Sequence, residues 1–232
     1  MLVVHKKEFT IGFLMTIGFV AVLIVMFSPI SGGKNAFELS DELFNSISKG
    51  STYHIEHLQE QVETTSFASM NVYLDMKTPE LAQQAATILN NSAHVAVEGS
   101  RIHVQGALQA ILDQALTDSD QMFYNHDAEL SAAYGISGKK ALFIWWNVLT
   151  KAEKELKQQA FFTEAKAVHS VITKGVEVGY NYFGIVPERA SDAAGVLSAS
   201  LIFYVAYTLW WGFAIFFLVE GMGLSIGGKV KP

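Results

Sequence analysis

Nineteen consecutive residues, Phe9 to Phe27, carry no charge, and most are Phe, Leu, Ile, Val or Met. As a helix rising about 1.5 Å per residue, the run reaches roughly 28 Å, close to the hydrocarbon thickness of a bilayer. It therefore predicts a membrane span. Ala193 to Val219 repeats the signal toward the other end. Lys6 and Lys7 precede the first run, and Lys229 and Lys231 follow the second. Because basic flanks remain cytoplasmic, both termini are expected in the cytoplasm, with the intervening chain outside. Ser31 and Gly33 lie at a cleavage-like spacing, but the first run exceeds the roughly 7 to 15 apolar residues of a secretory leader. An uncleaved anchor is the expectation.

The charge balance divides the chain in the same way. Only Glu8 and Glu220 among 22 acidic residues, and four of 16 basic residues, fall outside 31–192, so that segment holds 20 acidic and 12 basic residues, a net −8. Such a surface repels phosphate, which argues against nucleic acid as a partner. There is no cysteine, so thiolate catalysis and Cys-held zinc or iron-sulfur centres are excluded for this chain alone. The expected domains are an anchor over 1–30, an acidic extracytoplasmic domain over 31–192, a second span over 193–220 and a cytoplasmic or membrane-associated tail over 221–232. Gly12 and Gly18 in the first span are not a GxxxG pair and signal close helix packing only weakly.

Within the outward segment, Ser28-Pro29 and Gly32-Gly33 end the first helix. Phe37, Leu39, Leu43, Phe44 and Ile47 mark an amphipathic helix over Ala36–Ile47. Lys49-Gly50-Ser51-Thr52 interrupts it, and a polar helix runs on toward Val62. Met70 to Met76 alternates apolar with Asn71, Tyr73 and Asp75, the period of a strand with one buried face. Thr78-Pro79 starts a helix as N-cap and first-turn proline, with Leu81, Ala85, Ile88 and Leu89 on its apolar face. Gly99-Ser100 then predicts a type II′ hairpin pairing Val97 with Ile102 and Val95 with Val104, while Glu98 faces Arg101 and Ala96 faces His103. Leu108, Ile111, Leu112, Ala115 and Leu116 give the next helix. The 69–117 module thus reads as a partial split βαβ unit that lacks a final strand, or pairs its edge with another chain.

Asp118 to Gly138 reads as a solvated connection. Lys139 to Lys174 contains no Pro or Gly and predicts a helix about 50 Å long, or a helical hairpin breaking near Gln158 to Thr163. Gly175 and Gly179 loosen the chain before the aromatic cluster of Tyr180, Tyr182 and Phe183. The fold class expected is α+β: a membrane protein with two transmembrane helices flanking an outward domain that contains a partial split βαβ unit and a long helix or helical hairpin.

No nucleophile elbow, zinc-protease helix, dinucleotide fingerprint or P-loop is present. His54 and His57 with Glu56 and Glu60, and His126 with Asp127 and Glu129, have spacings that exposed polar turns produce equally well, so no metal site is assigned. Catalytic and cofactor-binding residues are likewise unassigned, and the cofactor is unknown. Enzymatic activity of the isolated chain is not expected. The preferred expectation is a structural or scaffolding subunit of a bacterial inner-membrane complex. It would contact the lipid bilayer and other membrane-protein subunits, or form a homo-oligomer. Tyr180, Tyr182, Phe183, Tyr207, Trp210 and Trp211 are the candidate partner contacts, because aromatic rings deep in a span favour burial against other helices. The alternatives are an extracytoplasmic ligand-binding receptor and an accessory subunit of an electron-transfer or transport complex.

Overall fold

A computed structural model describes residues 3–224. In chain order its elements are α1 (Lys6–Phe27), α2 (Ala36–Ser51), α3 (Ile55–Thr64), β1 (Ser69–Asp75), α4 (Pro79–Leu89), β2 (His94–Glu98), β3 (Arg101–Ala107), α5 (Leu108–Phe123), α6 (Asp127–Tyr134), α7 (Gly138–Gln158), α8 (Phe162–Val171), a π-helical turn (Ile172–Val176), α9 (Glu177–Asn181) and α10 (Ala194–Gly221). They form two compact units, one of Met1–Phe44 with Arg189–Pro232 and one of Asn45–Glu188. The fold is α+β, with one small sheet and two helices long and apolar enough to cross a membrane.

In the first unit α1 and α10 pack along each other. The glycines of α1 make that approach possible. A Cβ on Gly12 would lie 2.6 Å from the Leu218 backbone nitrogen, and one on Gly18 would lie 2.9 Å from the Trp210 ring. Neither glycine needs a sequence partner six residues away, because each faces α10. Trp210 Nε1 donates to the Met15 carbonyl at 3.1 Å, and Phe19 stacks on Tyr207 with centroids 4.1 Å apart. Before α2, Asn35 Oδ1 accepts from the amides of Phe37 and Glu38, while Glu38 Oε2 accepts from the Asn35 amide. This reciprocal cap satisfies the first orphan donors of the helix. Lys229, Lys231 and the glycines at 227 and 228 lie outside the described residues.

The second unit is built on a three-stranded sheet of order β1-β3-β2, antiparallel throughout. β3 is inserted between β1 and β2, the arrangement of a split βαβ unit. The hairpin register pairs Val95 with Val104 and Val97 with Ile102, and Gly99 has φ +62°. Met70, Val72, Leu74, Ile102 and Val104 are buried on one face of the sheet, against Ala82, Ala85, Ile88 and Leu89 of α4 and Leu108, Ile111 and Leu112 of α5. Thr78 Oγ1 caps α4 by accepting from the Leu81 amide. Trp145 of α7 is fully buried at the other side of the same core.

Four local expectations change. Helix α2 does not stop at Ile47 but continues through Lys49 and Gly50 to Ser51, because tertiary partners receive the lysine. The segment 118–138 is not a solvated connection: α5 runs to Phe123, α6 follows, and Asp118, Ser119, Met122, Phe123, Leu130 and Tyr134 are buried. The run 139–174 takes its hairpin form, breaking between Gln158 and Phe162, where Ala160 turns the chain with φ +64°. Gly175 and Gly179 do not loosen the chain. They lie in continuous helical structure, where a Cβ on Gly179 would come within 2.9 Å of the Ser119 carbonyl, so their absent side chains let this segment press against α5.

Candidate functional site

Two buried polar groups and one groove stand out in the second unit. Asp118 is almost completely buried, and α5 aims it at donors from three other positions. Trp145 Nε1 donates to Oδ2 at 2.6 Å, the Tyr134 hydroxyl to Oδ2 at 2.7 Å, and Gln114 Nε2 to Oδ1 at 2.9 Å. Burial raises the Asp118 pKa above the ordinary carboxyl value, and these three hydrogen bonds oppose the rise. Burial, followed by the charge of Asp118, pushes the Tyr134 hydroxyl upward as well. Trp145 and Tyr134 belong to the core and Gln114 is half-buried, so the cluster joins α5, α6 and α7 and its carboxylate is spent on these contacts.

Lys49 is the second group, with its side chain fully enclosed. Its ammonium donates to the carbonyls of Ile185 at 2.5 Å and Tyr182 at 3.0 Å, approaches Asn125 Oδ1 at 3.4 Å and sits 4.9 Å from the centre of the Phe123 ring. Desolvation lowers its pKa from 10.5 to about 8. Around it, Ser48 Oγ and the Tyr182 hydroxyl share a hydrogen bond of 2.6 Å, Asn125 Nδ2 donates to the Ile185 carbonyl, and the Glu188 amide donates to the Ser46 carbonyl at 3.0 Å. A Cβ on Gly50 would come 2.2 Å from the Glu188 carbonyl oxygen. The two ends of this unit, Ser46–Gly50 and Tyr182–Glu188, are therefore clasped together.

The groove holds about 300 Å³ and is lined by Leu142, Phe143, Trp146, Val176, Glu177, Tyr180 and Asn181. Its wall includes the end of the π-helical turn, a feature often found at functional positions. Trp146 Nε1 donates to Glu177 Oε1 at 3.0 Å, fixing the ring, and the Lys139 ammonium lies 5.0 Å from the Tyr180 ring centre. Phe143 is 46% exposed and Trp146 38%. A smaller hollow of about 210 Å³ lies between α3 and α8, lined in part by Leu58, Val62, Phe67 and Lys166.

The six candidate contact residues fall into different environments. Tyr180 lines the groove. Tyr182 takes part in the clasp, and Phe183 packs against the core. Tyr207 and Trp210 are engaged with α1, whereas Trp211 tilts over Phe19 and remains 40% exposed. The groove residues Phe143 and Trp146 were not among the candidates. Their available signal was position: each lies one residue beyond the buried pair Leu142 and Trp145, on the border of the apolar stripe of α7. Among the histidines, His57 meets Gln61, and exposed His126 lies 3.8 Å from Glu129. Among the described residues no three His, Asp or Glu side chains gather as a metal site would require.

No protein-family model, curated protein or solved structure matches the chain.

Proposed function

We propose that the chain is a membrane-anchored structural subunit that holds an outward domain in a bacterial inner-membrane complex. In this reading α1 and α10 span the bilayer, both termini are cytoplasmic, and the acidic second unit faces the periplasm or the exterior. Large apolar side chains such as Phe13, Leu14, Ile17, Ile24, Leu201, Ile202 and Phe213 are exposed on the two helices, which suits lipid or neighbouring helices and would be costly in water. Lys6 and Lys7, which open α1, support the orientation.

The observation that carries the scaffolding role is the contrast between enclosed polar groups and exposed aromatic surface. Asp118 and Lys49 are consumed by contacts that hold the unit together, while Phe143 and Trp146 stand open beside Tyr180 in a groove whose rim is fixed by Glu177. Rigid aromatic anchors of this kind dominate protein contacts. The same groove favours a second reading, an extracytoplasmic receptor for a small ligand, because its volume approaches the lower end of small-molecule pockets.

Gentle detergent extraction of the full chain, followed by mass measurement of the intact particle, separates the readings. A stoichiometric partner protein that is lost when Phe143 and Trp146 are both changed to Ala supports the scaffold. Recovery with no other protein but with a retained small molecule overturns it in favour of the receptor, and recovery with neither overturns both.

A further inference from the structure

The sheet of the second unit has two edges, and they are treated differently. Met76 N donates to Ser100 O at 2.8 Å, which fixes the phase of the ladder. Even-numbered residues of β1 bond to β3, and odd-numbered ones turn to the outer edge. On that edge the Asn71 carbonyl already accepts from Gln159 Nε2 at 3.3 Å, and just before β1 the Ala68 amide donates to Glu164. Along β3 the residues facing β2 are Arg101, His103 and Gln105, paired with Glu98, Ala96 and His94. The main-chain N–H and C=O groups of Val95 and Val97 therefore point away from the sheet, and among the described residues no other element bonds to them.

Strand β2 also lacks the devices that block edge pairing. It contains no Pro, no Lys and no bulge, and Val95 and Val97 are half-buried over the core. Open edges of this kind recruit another strand. The sequence of β2 specifies which strand fits. Placed antiparallel to itself about Ala96, His94-Val95-Ala96-Val97-Glu98 sets Val95 opposite Val97 twice, forming four backbone hydrogen bonds. It also sets His94 opposite Glu98 twice, on the open face. The imidazole N–H meets a carboxylate at each end, and the small Ala96 side chains meet at the centre.

We propose that β2 is a self-association strand, through which two copies of this chain join their sheets into one six-stranded sheet. The occupant is a second copy because the charge order of β2 is complementary to its own reverse. This pairing concerns the sheet edge alone and depends neither on the aromatic groove nor on membrane insertion.

The absence of native cysteine makes the test direct. In the pairing, the two Ala96 positions form a non-hydrogen-bonded antiparallel pair with Cα atoms about 4.5 Å apart, within the range a disulfide bridges. The full-length chain carrying Ala96→Cys, oxidised with copper phenanthroline in detergent, is expected to give a reducible species of twice the chain mass. Gln83→Cys, on the exposed side of α4, should remain monomeric under the same oxidation. Adding His94→Glu to Ala96→Cys places two carboxylates opposite each other and is expected to slow cross-linking at least fivefold. Native mass measurement of the unsubstituted chain should show the dimer without any cross-link, so the proposal does not depend on the Cys variant folding. A monomeric unsubstituted chain, equal cross-linking at positions 83 and 96, or an adduct of any mass other than two copies overturns it.

Discussion

Lys49→Met tests the buried ammonium through the pH dependence of stability. Desolvation by enclosure among carbonyls, with no ion pair to Lys49 among the described residues, pushes Lys49 down from 10.5 to about 8. Between these values the unfolded chain holds a proton that the folded chain has released, so stability must rise with pH across that window. At about 1.4 kcal/mol per pKa unit, the folded state at pH 7 bears a cost of roughly 3 kcal/mol. About 2 kcal/mol of it is relieved by pH 10. For a domain of this size the relief corresponds to a rise of roughly 6 °C in Tm. Above pH 10 the trend reverses, because burial and then the neighbouring Asp120 hold the Tyr53 hydroxyl protonated in the folded state after the unfolded chain has lost that proton. Burial and Asp118 do the same at Tyr134. The assay is calorimetric unfolding of the full chain in mild detergent from pH 7 to 10, with the Met variant alongside. The difference in Tm between the two proteins should shift by about 6 °C across the series, in favour of the native chain as pH rises. Parallel curves would show that the amine is hydrated or paired in solution, and the clasp would have to be redrawn.

Two further perturbations probe other parts of the second unit. Asp118→Asn keeps the shape and an oxygen toward Trp145 and Tyr134, but it removes the charge those donors face and sets an NH₂ donor against Gln114 Nε2; it should cost about 1 to 3 kcal/mol at neutral pH, read as a lowered Tm. Because burial raises the carboxyl pKa, the native chain loses stability as pH climbs from the ordinary carboxyl value, and the Asn variant should lack that slope. Ala160→Gly relieves a left-handed backbone at φ +64°; it should leave Tm unchanged or raise it by a few degrees, since the strain of about 1 kcal/mol exceeds or balances the added freedom of the unfolded glycine.

The features readable in sequence were those whose signal is local. Alternation in 70–76 and 95–104, with Gly99 between two such stretches, specified faces and register together, because a one-residue slip would expose every valine. The two apolar runs were legible from length alone. What sequence concealed depended on distant partners. Lys49-Gly50-Ser51-Thr52 has the composition of a helix stop, and nothing nearby announces that the carbonyls of Tyr182 and Ile185 await the lysine. Asp118 and Tyr134 look like loop residues until Trp145 and Gln114 converge on them. Gly179 reads as a breaker when the contact it permits, with Ser119, lies sixty residues upstream. The turn at Ala160 lacked Gly or Pro, so one long helix and a hairpin fitted the same letters. Phe143 and Trp146 sat on the border of a stripe, where periodicity cannot say which side of the border is open.

The hydrogen bond from the Glu188 amide to the Ser46 carbonyl has a consequence for how this polypeptide can be taken apart. A domain whose first and last residues already touch is a cassette: its host needs only two adjacent points of attachment, and a short flexible linker can take its place. Residues 45–188 should therefore be replaceable by a short linker between 44 and 189, leaving the two long helices joined through 28–44 and 189–193, and should be transferable into a surface loop of an unrelated carrier. The architecture suits gain or loss of the whole module in a single event.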